Sequence, residues 1–192
     1  MNLGLTTSFI IAGILLLSIL SMNMSLTQSS TQLTMKQITE RRTSTITQIM
    51  QKDIPNIGYQ QGGTISHPIK DARNDLLKFE GDIDNDGTKD TVTWKYTSSD
   101  GLVRIFNSKT TDFNINVTDF EITYLDSDRN KIEVSFISKL LGNDQDKRDQ
   151  IRHISVELSL QSKEKIGGMG DSDPHYVKSS WEKQFTPINL SL

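Results

Sequence analysis

The sequence predicts an α+β protein: a long N-terminal helix, its first half apolar enough to span a membrane, packed on an antiparallel β-sheet. Three observations predict it. No Asp, Glu, Lys or Arg precedes Lys36, so all 21 basic and 24 acidic residues of the 192-residue chain lie from there onward. The stretch from Leu26 to Lys52 is rich in Ser, Thr and Gln and carries neither Gly nor Pro. Beyond Gly62-Gly63 the chain breaks into short apolar runs separated by Gly, Asn, Asp and Ser clusters, the pattern of sequential antiparallel strands. Three segments follow: a transmembrane helix over 1–25, a helical extension or stalk over 26–55, and an antiparallel sheet domain over 56–192.

The first segment is uncharged from Leu3 to Met24 and centred on FIIAGILLLSIL, Phe9–Leu20. At 1.5 Å per residue it covers roughly 33 Å, enough for a bilayer core. A buried core helix and a cleaved signal peptide are the rival readings. A signal peptide carries Lys or Arg at its start and an Ala-x-Ala-like cleavage site. Here Ala12 is the only Ala before Ala72, which favours an uncleaved anchor. The nearest basic residues, Lys36, Arg41 and Arg42, lie too far beyond the span for charge alone to set its orientation.

In the second segment Leu26, Leu33, Ile38, Ile46, Ile49 and Met50, extended by Ile54, form a narrow apolar stripe on a polar helix. Its many Thr residues lower helix propensity, so packing on one side must hold it; otherwise the segment is a flexible stalk. Pro55 supplies the stop.

In the third segment Asp71–Leu77 reads as a short helix leading into a strand near Leu76–Glu80. Thr91–Thr97 and Leu102–Phe106 alternate on either side of Asp100-Gly101, a hairpin signal. Val117–Leu125 and Ile132–Leu140 read as a second pair joined by the turn 126–130. Ile151–Gln161 places Ile154, Val156, Leu158 and Leu160 on one face. A loop bearing Gly167, Gly168 and Gly170 leads to a last strand, Tyr176–Phe185. One sheet with one apolar face requires a cover, and the helix stripe is available.

Composition excludes several functions. A net charge of −3 argues against nucleic acid as a partner, which demands a concentrated basic surface. The absence of Cys removes disulfides, thiolate zinc sites and Cys nucleophiles together. His67, His153 and His175 are not at metal-ligand spacing, and no G-x-S-x-G, S-x-x-K or P-loop is present. Trp94 and Trp181 read as core or interface aromatics. The chain is expected to be non-enzymatic, with no small-molecule substrate evident.

The sharpest local signal is acidic. Asp82, Asp84 and Asp86 stand at positions 1, 3 and 5 of a calcium-loop pattern, with Gly87 at 6, Thr88 at 7 and Asp90 at 9. Spacing by two gathers side chains around one point as the backbone curls, and a hard cation relieves their repulsion. Asp82, Asp84, Asp86, Thr88 and Asp90 are therefore the candidate ligands for Ca2+. Position 12 is Thr93, so the bidentate Glu of an EF-hand is missing, and the residues that follow read as strand. The competing reading is an Asx-rich hairpin turn that holds no metal. The pairs Asp126/Asp128, Asp144/Asp146 and Asp171/Asp173 read as solvated turns.

Taken together these pieces resemble the type IV pilin-like class, in particular the minor pilins and pseudopilins of type IV pilus and type II secretion systems. The likeness rests on the apolar helix running into a polar one, on Asp53-Ile-Pro-Asn-Ile-Gly-Tyr59 ending it, and on the acidic hairpin before a V-x-W strand, Asp82–Tyr96. Leu102-Val-Arg104, the strand Val117–Asp126 and the closing Pro187-Ile-Asn-Leu190 complete it. The N-terminus departs from the family: Gly4 has no Lys or Arg before it, and the fifth residue beyond it is Phe9 where the family carries Glu. The resemblance implies a membrane-anchored subunit, a minor component of a pilus or secretion pseudopilus, whose partners are other pilin-like subunits. It implies a single pass through the inner membrane, with the N-terminus in the cytoplasm and the globular part extracytoplasmic. The alternative is a membrane-tethered, calcium-dependent binding or adhesion module that does not polymerise.

Overall fold

One uninterrupted helix, α1 (Leu3–Asp53), carries the chain through the first two segments; at 1.5 Å per residue it is a rod of about 77 Å. The computed structural model describes residues 3–113, 115–134, 144–166 and 174–190. Every residue of α1 from 4 to 34 is exposed. Lower down, Thr39, Thr43, Ile46, Thr47, Met50 and Asp53 are buried, at the three-to-four spacing of one helix face. The helix ends immediately before Ile54-Pro55, which open a 3-10 turn, because proline lacks the N–H the next helical bond requires.

The stripe expected for this segment is corrected in its upper part. Leu26 and Leu33 are 58% and 61% exposed and Ile38 is exposed as well, whereas three threonines share the covering face with Ile46 and Met50. A buried hydroxyl must have a partner, and the helix itself provides it. Thr39 and Thr43 donate to the carbonyls of Met35 and Thr39 at 2.9 and 3.0 Å, and Thr47 to that of Ser44 at 3.1 Å. With the hydroxyl satisfied locally, threonine serves as an apolar surface, a use that a count of Leu and Ile does not register.

The strands form two larger antiparallel sheets and a small hairpin. The hairpin is β1 (Tyr59–Gln60) with β2 (Gly63–Thr64). The first sheet runs in chain order: β3 (Ile69–Arg73), β4 (Leu76–Gly81), β5 (Asp90–Thr97), β6 (Gly101–Phe106) and β7 (Lys109–Asp112). The second comprises β8 (Asn116–Leu125), β9 (His153–Gln161) and β10 (Lys178–Phe185), with β9 in the centre. A short helix, α2 (Asp144–Asp149), lies between β8 and β9 in sequence. The lower face of α1 packs on β10 and β9, where the Thr43 hydroxyl lies 3.1 Å from Ser179 Oγ. The α+β class, with an apolar N-terminal helix and antiparallel sheets, stands.

Two expectations within the sheets change and one pairing is added. The single sheet is divided in two. One hydrophobic cluster joins the inner faces of both sheets to the helix: Leu77, Phe79, Val92 and Trp94 from the first, Phe120, Ile122, Tyr124, Ile154, Val156 and Leu158 from the second, and Ile46, Met50, Ile54 and Ile57 at the helix end. Asp71–Leu77 holds no helix, because Asn74-Asp75 makes the turn between β3 and β4. The Asn74 carbonyl accepts from Ile122 N–H and the Asp75 carbonyl from Tyr96 N–H, so tertiary hydrogen bonds override local propensity. β8 pairs along its length with β9, Ile122 opposite Val156 and Tyr124 opposite Ile154, a partner the sequence did not announce. The 126–130 turn forms as expected, with Asp126 Oδ1 accepting from the amides of Asp128 and Asn130, and beyond it Leu125 bridges Lys131 and the Ile132 amide donates to the Tyr124 carbonyl at 2.8 Å. The apolar face of β9 alternates in step with that of β8, and nothing local announces a pairing so distant in sequence. Residues 135–140, the loop glycines Gly167, Gly168 and Gly170, and Asp171 and Asp173 lie outside the described residues.

Tyr124 bolts the two sheets together. It is fully buried, and its hydroxyl lies 3.0 Å from the carbonyl oxygens of both Arg73 and Leu76. Burial, helped by the charges of Asp71 and Asp75, pushes its phenol well above the usual value against the opposing hydrogen bond at Arg73. A raised folded value gives a stabilisation that is complete below the unfolded value, about pH 10, and lost as pH climbs through that value toward the folded one. Tyr124→Phe is expected to cost about 0.5–1.5 kcal/mol at neutral pH, the net worth of one hydrogen bond shared between two carbonyls. It should also flatten the alkaline limb of a pH–stability curve. An unchanged melting temperature together with an unchanged alkaline limb would remove this role.

Candidate functional site

Three features of the chain could carry function: the bare upper helix, the joint at its lower end, and the acidic loop seated on that joint. In the upper helix the large side chains stand free, with Phe9 and Leu16 at 69% and 68% exposure. The helix is long and apolar enough to cross a membrane.

The joint begins with a carboxylate in an awkward place. Asp53 is the last residue of α1, at the negative end of the helix dipole, and it is fully buried. Burying such a charge costs several kcal/mol unless it is well paired. Arg104 on β6 donates to it from both prongs of the guanidinium fork, Nε at 2.6 Å and Nη2 at 2.9 Å, and Trp94 Nε1 on β5 donates at 3.0 Å. Arg104 also lies 4.9 Å over the Phe106 ring, and Trp94 stacks on Phe113 at 5.6 Å. The helix end is thus held by two strands of the first sheet while its Thr-rich face lies on the second. In the sequence Asp53 and Arg104 belong to separate motifs, 51 residues apart. The available signal was two charges set among apolar neighbours, Asp53 before Ile54 and Arg104 between Val103 and Ile105.

The chain beyond the joint brings the acidic loop against it. Gly58 takes a left-handed conformation at φ +76°, and its amide donates to the Glu80 carbonyl at 2.9 Å. Gly81 closes β4 directly against the helix-end turn; any Cβ there would collide with the Asn56 carbonyl oxygen. The Asp82 amide donates to the Tyr59 carbonyl at 2.8 Å, and buried Ile83 plugs the loop into the core.

Within the loop, one carboxylate oxygen from each of Asp82, Asp84 and Asp86 lies within 4.8 Å of the others. Asn85 and Gly87 are left-handed, φ +62° and +85°, and supply the curl that gathers alternate side chains inward. Asp82 is fully buried: Oδ2 accepts from the Gly87 amide at 3.1 Å, while Oδ1 is buried with no hydrogen-bond partner. Asp84 and Asp86 are exposed. Asp84 accepts from the Asp86 amide at 3.3 Å. Asp86 accepts from the hydroxyl and the amide of Thr88, which hold its carboxyl below the usual range.

The other two candidates are used differently. Thr88 reaches Asp86 with its hydroxyl. Asp90 is buried behind the loop, where Oδ2 accepts from the Ile83 amide at 2.9 Å and Oδ1 from Asn107 Nδ2. It props the loop and is not among the three converging carboxylates. Lys89 turns to Glu80, 3.0 Å away, which Lys70 also meets at 3.1 Å. Burial pushes the Glu80 carboxyl up, but the two ammonium groups outweigh it and hold it below its usual range. Among the histidines, His67 pairs with Asp149 at 2.8 Å and His153 meets the Thr186 hydroxyl at 2.8 Å. No family model, curated protein or solved structure matches the chain.

Proposed function

We propose that this chain is a non-enzymatic, membrane-anchored subunit of a pilin-like assembly, acting through helix packing and subunit contacts. The observation that carries the reading is the contrast along α1. From residue 4 to 34 every residue of the helix is exposed, although much of that length is strongly apolar, while one face of its last turns is buried and tied to both sheets. An apolar surface of that extent is stable only against lipid or other apolar helices. A continuous rod passing rigidly into a sheet domain suits a part that transmits packing, since a tether would need no stiffness. In this reading the upper helix lies in the inner membrane or among equivalent helices of a pilus or secretion pseudopilus. The sheets are displayed on the extracytoplasmic side.

Alkaline carbonate extraction of membranes from cells making the full chain tests the anchoring. The chain is expected in the membrane pellet; recovery in the supernatant with peripheral proteins would overturn the proposal.

A further inference from the structure

We infer that Asp82, Asp84 and Asp86 form a binding site for a hard divalent cation of calcium's size, and that the ion locks the β4–β5 loop onto the end of α1. Converging acidic side chains alone would not carry this, since acidic turns are common on protein surfaces. The decisive feature is Asp82. Its side chain is fully buried, one of its oxygens lies within 4.8 Å of oxygens of Asp84 and Asp86, and Oδ1 has neither a hydrogen-bond donor nor access to water. A buried carboxylate oxygen left without a partner is strongly unfavourable, and a cation bound among the three carboxylates would supply that partner. The basic residue within the loop does not, because Lys89 is engaged with Glu80.

The donor set defines the class of ion. All three groups are carboxylates, which suit hard cations and not the thiolate- and imidazole-seeking transition metals. Calcium accepts six to eight oxygens in irregular arrangements, whereas magnesium demands a tight octahedron and keeps its waters. Three carboxylates from one curling loop, completed by a backbone carbonyl such as that of Thr88 and by water, meet the looser requirement. With no bidentate Glu at position 12, affinity should fall in the weak range typical of extracellular modules, a Kd of about 10⁻⁴ to 10⁻³ M. Asp90 is a positioning residue in this account: it holds the Ile83 amide and Asn107 behind the loop and does not touch the ion.

The ion would act on the joint. Asp82 is tied through its amide to Tyr59, and Gly81 lies against Asn56, so fixing the Asp82 carboxylate fixes the contact between loop and helix end. This inference does not rest on the membrane reading and holds equally for a chain that never assembles.

The test uses the full chain in detergent after treatment with a chelator and dialysis. Calcium chloride at about 10 mM is expected to raise the melting temperature by about 3–11 °C, with magnesium at the same concentration giving less than half of that. Calorimetric titration should show one calcium site per chain. The Asp84→Asn/Asp86→Asn variant keeps oxygen acceptors for the Asp86 and Thr88 amides, so it should melt without calcium at or above the wild-type temperature and lose the calcium shift. No calcium shift and no heat in the wild type would overturn the site, as would an equal shift in the double variant. Equal responses to calcium and magnesium would overturn the choice of calcium.

Discussion

Asp53→Ala is expected to destabilise the folded sheets by about 3–5 kcal/mol, the loss typical of breaking a buried ion pair by removing one partner. For a chain of this size that lowers the melting temperature by roughly 6–20 °C. The reason lies in what remains. Arg104 would be left with its guanidinium still largely buried, its side chain 16% exposed, and Trp94 Nε1 would lose its acceptor. Removing the pair as a whole leaves neither orphan, so Asp53→Leu/Arg104→Met should recover a substantial part of the loss. Near-ultraviolet circular dichroism, which reports the packing around Trp94, is a suitable readout in thermal melts. A loss below about 1 kcal/mol for Asp53→Ala, the range of a surface ion pair, would mean that the joint does not hold the helix to the sheet.

Ile14→Arg is expected to have the largest effect on cellular behaviour. Ile14 is near the middle of the apolar run and is 58% exposed, away from the buried cluster that joins helix and sheets. A charge at the centre of a spanning helix costs about 2.5–3.5 kcal/mol on insertion scales, in addition to the lost contribution of isoleucine. The carbonate-resistant fraction should fall by about tenfold or more, while the melting temperature of the sheets stays unchanged. Leu33→Arg supplies the control: Leu33 is equally exposed but lies beyond the apolar run, so it should leave anchoring intact. Equal behaviour of the two variants would contradict a membrane-embedded first half.

The sequence and structure agree where chemistry is local. The uncharged head, the Pro55 stop, the Asp100-Gly101 hairpin and the buried alternation of Ile154, Val156, Leu158 and Leu160 all follow from periodicity or turn preference. Disagreement arises where distant residues decide. β8 pairs with β9 across about thirty residues, and the Asn74-Asp75 turn is fixed by amides from β5 and β8. Thr39, Thr43 and Thr47 form a covering surface only because the helix absorbs their hydroxyls. The acidic loop divides in the same way. The spacing of Asp82, Asp84 and Asp86 foretold their convergence, and the left-handed Gly87 follows from its place in the pattern. That Asp90 turns away to hold Ile83 and Asn107 depends on a neighbour from β6's far end, which no spacing within the loop encodes.

Anchoring by the upper helix and its packing against other helices can be measured together, because the chain contains no cysteine and single-cysteine variants are unique probes. Cysteines placed one at a time from residue 8 to residue 20, and at Thr31 and Leu33, would be exposed to a membrane-impermeant maleimide and then to a short thiol cross-linker in intact membranes. The account predicts that positions 8–20 resist the maleimide and that Thr31 and Leu33 react. It also predicts cross-links to a neighbouring subunit recurring every three to four residues along the protected run. Uniform labelling from 8 to 33 with no cross-linked species would contradict it.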